Sequence, residues 1–117
     1  MYKMTLLFRK PAEPDRFEEQ WTRLFLPFAE RMPGVARITV SHVVGEPEGT
    51  SDYYRMHEFY FADRKALDHA LTSKKGKQAG NVLMTFASEI TTIFFSEVFE
   101  EAYGETEKTG GASDNGK

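Results

Sequence analysis

Four segments of this chain alternate apolar and polar side chains with a period of two, and two of the segments between them repeat apolar side chains every three or four residues. The first pattern predicts β-strands and the second predicts amphipathic helices. In chain order the pattern reads strand, helix, strand, strand, helix, strand. The predicted strands are Tyr2–Arg9, Val35–Val44, Tyr53–Phe61 and Glu89–Phe99.

The first helical segment has clear ends and one irregularity. Asp15 is a predicted N-cap because Glu18 follows it at the spacing of a capping box, and Pro33 with the glycine after it ends the helix. Pro27 lies inside this helix and has no N–H for the carbonyl four residues before it. We therefore expect a kink and a loosened turn over residues 25–28.

The second helical segment is divided in two. Asp63 is its predicted N-cap, and Ser73 begins a further helical stretch that runs through Phe86. If the two parts are counted as one helical segment, the order of elements predicts an α+β fold of the ferredoxin-like βαββαβ type. In this fold the helices cover one face of an antiparallel sheet.

The apolar character of both sheet faces predicts a second copy of the chain. The last strand places Ile93 and Phe95 on one face and Phe94 and Val98 on the other. Because the helices cover only one face, a lone protomer would expose an apolar patch of roughly several hundred Å², which soluble monomers rarely do. Two sheets related by a twofold axis would bury both patches, so we expect a homodimer.

Composition limits the remaining possibilities. A chain of 117 residues suits one domain, residues 1–100, and residues 101–117 form an acidic, glycine-rich segment that we expect to be disordered. The net charge of −3 has the wrong sign for a nucleic-acid-binding protein. The apolar run near the N-terminus is too short for a signal peptide or a membrane span, and the absence of cysteine suits a reducing cytoplasm.

Two histidines are candidates for chemistry. If the second and third strands pair as a hairpin with Val44 opposite Tyr53, then His42 faces Arg55 and His57 is its diagonal neighbour on the same face. A two-residue change of register would put the histidines opposite each other, and a one-residue slip would separate them. Such a pair suits general acid–base catalysis within a small apolar ligand. The alternative is that each histidine is a hydrogen-bonded structural residue at the dimer interface.

Further candidates come from the third strand and the first helix. Glu58 lies among apolar residues, so it must pair with a cation, take up a proton or reach water, and it is a third candidate catalytic group. Its available partners are Arg9, Arg37 and Arg55. The candidate ligand-binding residues are Trp21, Phe25, Phe28, Arg55 and Tyr60. The alternative for the three aromatic residues of the helix is core packing, and the kink at Pro27 is what would open a pocket beside them. No metal-ligand spacing and no glycine-rich nucleotide loop is present, so we expect neither a metal nor a cofactor.

Three stretches of sequence together point to a known family. They are Leu6-Leu7-Phe8-Arg9-Lys10-Pro11; Phe25-Leu26-Pro27 leading to Met32-Pro33-Gly34-Val35; and Tyr54-Arg55-Met56-His57-Glu58-Phe59-Tyr60-Phe61 entering Asp63. With them the chain resembles the EthD family, named for a protein of ethyl tert-butyl ether degradation, over residues 2–99. The resemblance implies a dimeric α+β barrel.

The resemblance also implies a function. Members of the family suggest cofactor-independent chemistry on a small hydrophobic or aromatic metabolite, such as isomerisation, cyclisation or oxygenation, with an oxidoreductase role attached to the family name. The family usually has His, one residue and then Pro in the first helix, and Phe25 stands here where that histidine would fall. This difference favours the alternative, a non-catalytic ligand-binding or accessory dimer in a catabolic pathway.

Overall fold

Four antiparallel strands form a single sheet in the order β2-β3-β1-β4 in the computed structural model, which describes residues 1–101. The strands are Tyr2–Arg9 (β1), Val35–His42 (β2), Tyr53–Phe61 (β3) and Thr91–Glu97 (β4). The helices are Pro14–Gln20 (α1), Leu26–Ala29 (α2), Arg64–Thr72 (α3) and Lys74–Ala87 (α4), and a π-helical turn, Trp21–Phe25, joins α1 to α2. The predicted ferredoxin-like α+β fold is confirmed, with β2 and β4 shorter than predicted.

The helices cover the face of the sheet on which the strongest apolar alternation lies. Leu6 of β1 lies opposite His57 of β3, Met4 lies opposite Phe59, and all four side chains are buried. The helices complete this core with Phe17, Trp21, Phe25, Ala29, Leu67, Ala70, Leu83 and Ala87. Each large apolar side chain buried here contributes roughly 1.5–3 kcal/mol, so packing against the sheet holds the short helices in place.

The β2–β3 hairpin has the predicted register. His42 lies opposite Arg55 and Val40 lies opposite His57. The N–H of Val43 donates to the carbonyl of Tyr54 at 3.1 Å, which extends the pairing toward the connecting loop. His42 and His57 therefore share the helix-covered face as diagonal neighbours, as predicted.

The start of the first helix differs from the prediction. Its N-cap is Glu13, which makes no side-chain capping bond, and Pro14 is the first helical residue. The predicted capping box of Asp15 and Glu18 is therefore wrong. Proline suits the first helical position because its φ angle is already helical and it has no N–H to satisfy, while the carboxylate of Glu18 binds residues of β3.

Pro27 loosens the helix, but one turn earlier than predicted. The N–H of Leu26 donates to the carbonyl of Trp21, a five-residue span that defines the π-helical turn. The widened turn covers Trp21–Phe25, whereas Pro27 itself lies in the first turn of α2. Because Pro27 cannot donate to the carbonyl of Arg23, the hydrogen-bond spacing of the helix changes in the turn before it. The proline then occupies a position in the first turn of α2 where an N–H is not required.

The two remaining helices begin as predicted. An oxygen of Asp63 accepts the N–H of Ala66 at 2.8 Å, and the hydroxyl of Ser73 accepts the N–H of Gly76 at 3.1 Å. Gly76 also allows a close approach of α4 to α3, because a Cβ atom at this position would lie only 2.0 Å from the carbonyl oxygen of Ala70.

The edge strand β4 carries exposed apolar side chains on both faces. Ile93 and Phe95 lie on the helix side and Phe94 lies on the other, and 43%, 54% and 42% of their respective surfaces are exposed. The predicted two-faced character of this strand is therefore confirmed. The rest of the helix-free face is mixed, since Lys3 and Glu58 form an ion pair of 2.6 Å beside Leu7 and other partly buried residues.

The predicted C-terminal tail falls almost wholly on residues 102–117, which lie outside the described residues. Within residues 1–101, no helix is long and apolar enough to cross a membrane.

Candidate functional site

His57 lies at the centre of the helix-covered face and is surrounded by aromatic rings. None of its surface is exposed. Its ring stacks on that of Phe59 with centroids 4.3 Å apart, and the rings of Trp21 and Phe25 meet it at 5.4 and 5.9 Å. Neither ring nitrogen has a hydrogen-bond partner among the described residues. An unpaired polar group in such a place costs about 1–3 kcal/mol, so it requires an explanation beyond packing.

Arg55 lies two residues away on the same face and is only 2% exposed. Its Nη2 donates to both carboxylate oxygens of Glu18, at 3.0 and 2.8 Å, and lies 3.4 Å from Nδ1 of His42. The hydroxyl of Tyr54 also donates to Glu18. Hence Nη2 of the guanidinium is engaged by groups at the rim of the protein.

The inward edge of the same guanidinium is not engaged. Nε and Nη1 of Arg55 and the indole N–H of Trp21 are buried and have no partner in residues 1–101. The guanidinium carbon lies 4.1 Å from the centre of the Trp21 ring, which provides cation–π stabilisation but no hydrogen bond. Together with His57, these atoms form an interior polar cluster, defined here as Trp21, Arg55 and His57.

The electrostatics of the cluster follow from burial and from Arg55. Burial, reinforced by the positive charge of Arg55, lowers the pKa of His57 to about 4, so the imidazole is neutral at pH 7. Burial raises the pKa of Glu18, but the hydrogen bonds from Tyr54 and Arg55 outweigh it and leave the pKa below its usual value. The bond to Glu18 and burial both raise the pKa of Tyr54. The site thus combines an ion pair at its rim with a neutral imidazole inside.

The π-helical turn forms one wall of this site. Trp21 and Phe25 are its first and last residues, and both rings contact His57. In the part of the chain that the structure describes, this is the one helical segment with π geometry. Such turns occur frequently at functional sites, because they redirect side chains that a regular helix would place elsewhere.

An apolar cavity of about 180 Å³ lies beside the interior polar cluster. Leu6 and Phe25 line it, and the same two residues adjoin His57, one as its strand partner and one by ring contact. Its other large apolar walls are Met4, Met32, Leu71, Leu83, Ile93 and Phe95. A dry engineered cavity of about 150 Å³ is known to bind benzene, so this one has the size of a single aromatic ring.

The structure brings together four of the predicted site residues. Trp21, Phe25, Arg55 and His57 form one contiguous group. His42 lies at the rim, where its side chain is exposed and touches Arg55. No hydrogen bond joins His42 to His57 within residues 1–101, and His42 contacts Arg55 instead.

The other predicted site residues lie elsewhere. Glu58 is on the helix-free face, where Lys3 and Thr39 bind its carboxylate at 2.6 and 3.3 Å. The predicted arginine partners of Glu58 are therefore wrong, because Arg55 points to the opposite face of the sheet and the cross-strand lysine is nearer. The bond to Glu58 raises the pKa of Lys3. Glu58 is not brought near His57.

Tyr60 and Phe28 are also outside the interior polar cluster. Tyr60 shares the helix-free face with Glu58, and the guanidinium carbon of Arg37 lies 4.2 Å from its ring centre. Phe28 is on α2 and lines a groove against α4 together with Val82. Neither side chain faces His57.

Sequence reasoning missed the role of Glu18. Its spacing to Trp21 and Phe25 places it beside the apolar stripe of the first helix, and an acidic residue at the edge of such a stripe was a signal for a buried cation opposite. The described residues contain no group of three His, Asp or Glu side chains placed to hold a metal ion.

The fold and this site define a class of protein. An antiparallel ferredoxin-like sheet with helices on one face is the protomer of the dimeric α+β barrel proteins. Several solved structures share it at low sequence identity. One is a dimeric ferredoxin-like protein of unknown function from Jannaschia sp., with 18% identity and a TM-score of 0.61 over 84% of this chain and all of that one.

Another structure with the same fold is SnoaB, a cofactor-independent oxygenase from Streptomyces nogalater. It is 18% identical, with a TM-score of 0.59, and the match covers 86% of this chain and 94% of that one. At this identity the likeness shows the fold alone.

A more similar structure shows the family. It is an ethyl tert-butyl ether degradation (EthD) family protein from Bacillus halodurans, 30% identical with a TM-score of 0.81, covering 85% of this chain and 99% of that one. A second relative, an uncharacterized 11.0 kDa protein of the thcB-thcC intergenic region of Rhodococcus erythropolis, is 25% identical over 83% of this chain and 94% of its own length. No protein-family model matches the sequence. The chain belongs to the EthD family.

Proposed function

We propose that this protein is a homodimeric small-molecule-binding barrel, and that its ligand is a small hydrophobic or aromatic metabolite held between the sheet and the helices. The observation that carries the proposal is the interior polar cluster beside an apolar cavity. Three buried side chains, Trp21, Arg55 and His57, leave polar atoms without partners in residues 1–101. Apolar walls with a few convergent polar groups are the general form of a ligand site.

Phe25 is the wall that separates the two parts of this site. Its ring lines the cavity and also contacts His57. It lies at the end of the π-helical turn, whose hydrogen-bond ladder is already irregular. We therefore propose that the Phe25 ring moves when a ligand extends from the cavity to the cluster.

A thermal-shift and calorimetric titration with toluene tests the binding site. Wild-type protein should bind toluene. The Phe25→Ala variant should bind larger rings, because loss of the Phe25 ring joins the cavity to the interior polar cluster. Ala79→Leu should abolish binding while the protein remains folded, because Ala79 is buried and lines the cavity. Equal toluene binding by wild-type protein and Ala79→Leu would place the ligand elsewhere and contradict the proposal.

The homodimer is supported by the exposed apolar residues of β4 and by related structures described as dimeric. Phe94→Asp should convert the dimer to monomers in sedimentation velocity at micromolar concentration, since it puts a charge on the helix-free face. Val44→Asp is the matched control, because Val44 is an equally apolar but fully exposed loop residue. Monomeric wild-type protein at that concentration would contradict the dimer.

A cofactor-independent enzyme of isomerase, cyclase or oxygenase type is the second candidate function. The fold of SnoaB and the free ring nitrogens of His57 favour it. The low pKa of His57, about 4, makes it a weak base and favours simple binding instead. Ligand binding without turnover that survives both His42→Ala and His57→Ala would identify the non-catalytic function.

A further inference from the structure

The interior polar cluster has an excess of hydrogen-bond donors. Nε and Nη1 of Arg55 and Nε1 of Trp21 carry only N–H groups, and a guanidinium keeps its charge at any pH a protein tolerates. Arg55 is 2% exposed and Trp21 is 8% exposed, so bulk solvent does not satisfy these donors. A buried charged donor with no acceptor is more costly than a neutral one.

His57 does not remedy this excess. At pH 7 it is neutral, so one ring nitrogen is a donor and the other an acceptor. Its ring contacts the indole of Trp21, which in turn lies against the guanidinium of Arg55. The unpaired atoms thus belong to three side chains that are linked through Trp21, and among them one ring nitrogen accepts while every other group donates.

Glu18 leaves this inner side of the guanidinium free. Both of its carboxylate oxygens bind the same nitrogen, Nη2 of Arg55, although two nitrogens of the fork are commonly used in such a pair. The carboxylate is itself partly exposed, 39% for its side chain, so water screens its charge at the rim. The N–H groups on Nε and Nη1 of Arg55 therefore remain available to an acceptor that a bound ligand supplies.

We infer that the ligand carries an electron-rich oxygen, of the phenolate, enolate or carbonyl class, and that this oxygen binds the inward N–H groups of Arg55 and Trp21. This inference rests on the proposed function, since it names the polar end of the molecule whose apolar part fills the cavity. A donor-lined pocket of this kind favours a developing negative charge over a neutral group. It disfavours apolar and amine-terminated rings of the same size.

A matched pair of probes tests the inference. 4-Nitrophenol and 4-nitrotoluene have the same ring and differ by a hydroxyl in place of a methyl group. With full-length protein at pH 7.5, we expect 4-nitrophenol to bind at least about tenfold more tightly, a difference of about 1.4 kcal/mol. Because the phenolate absorbs at longer wavelength than the phenol, the visible spectrum should also show that the bound probe ionises at lower pH than the free one.

Variants assign the effect to the cluster. Trp21→Phe removes one donor and keeps a ring, so it should reduce the preference for 4-nitrophenol several-fold and leave 4-nitrotoluene binding almost unchanged. Arg55→Gln should abolish the preference for 4-nitrophenol. If the Arg55→Gln protein fails to fold, the Trp21→Phe variant still tests the inference. His69→Gln is the matched control, because His69 is exposed on α3, and it should behave as wild type.

The outcomes separate the two proposals. If both probes bind equally tightly and 4-nitrophenol binds without a change in its ionisation, the inference is wrong and the binding site stands. The same conclusion follows if Trp21→Phe and Arg55→Gln keep the full preference, because the oxygen of 4-nitrophenol would then be bound by groups outside the cluster. If neither probe nor toluene binds, the proposed function fails and the inference fails with it.

Discussion

Protonation of His57 should destabilise the fold in a defined pH range. Its ring is fully buried, and burial with the charge of Arg55 lowers its pKa from 6.5 to about 4. The unfolded chain takes up a proton at this residue below pH 6.5, whereas the folded chain does so only near pH 4. The contribution of neutral His57 to the free energy of unfolding is therefore complete above pH 6.5 and is lost as the pH falls to 4.

The size of this effect follows from the shift. Each pKa unit corresponds to 1.36 kcal/mol, so lowering the pKa of His57 from 6.5 to about 4 amounts to about 3 kcal/mol between these pH values. Guanidinium unfolding followed by fluorescence of the single tryptophan, Trp21, measures it at pH 7.5 and 4.5. Protein concentration must be fixed, because the stability of a dimer depends on it.

His57→Phe isolates the contribution of this one group. The substitution keeps a ring among Trp21, Phe25 and Phe59 and removes the titration. We expect the wild type to lose about 2–3 kcal/mol more than the variant between pH 7.5 and 4.5. His69→Gln should lose as much as wild type. Equal losses in wild type and His57→Phe would refute the argument that His57 is buried and neutral.

Two further pairs of variants test the ion pair and the helix contact, each by chemical unfolding at pH 7. Glu18→Gln leaves the buried guanidinium of Arg55 without its counter-ion and should lower the free energy of unfolding by about 1–3 kcal/mol, whereas Glu19→Gln, in an exposed pair, should cost less than about 0.5 kcal/mol. Gly76→Ala should cost about 3 kcal/mol because its Cβ would overlap the backbone of α3, whereas Gly80→Ala, with open space around it, should stabilise by about 0.5–1 kcal/mol. Equal effects within either pair would contradict these contacts.

The fold was accessible from the sequence because its signals are local. Alternation predicted the strands, and Asp63 and Ser73 predicted two helix starts that the structure has. The pairing of His42 with Arg55 was also accessible, since a hairpin with its end residues opposite has one register.

The polar partners were not accessible in the same way. Glu18 binds Arg55 across 37 positions of the chain, and Glu58 binds Lys3 across 55, so both pairs depend on how a helix or a distant strand is placed. Local rules instead favoured a capping role for Glu18 and an arginine partner for Glu58. Tertiary packing determined both outcomes, because a buried charge takes the nearest opposite charge on its own face of the sheet.

The π-helical turn affects how relatives should be aligned. It accommodates roughly one residue more than a regular turn, so a homologue with an uninterrupted first helix spans the same distance with one residue fewer. An alignment without a gap there would pair Phe25 with a position rotated by about 100° around the helix axis. A single-residue gap between Trp21 and Leu26 restores the equivalence, and homologous positions facing His57 should be compared only after that gap is introduced.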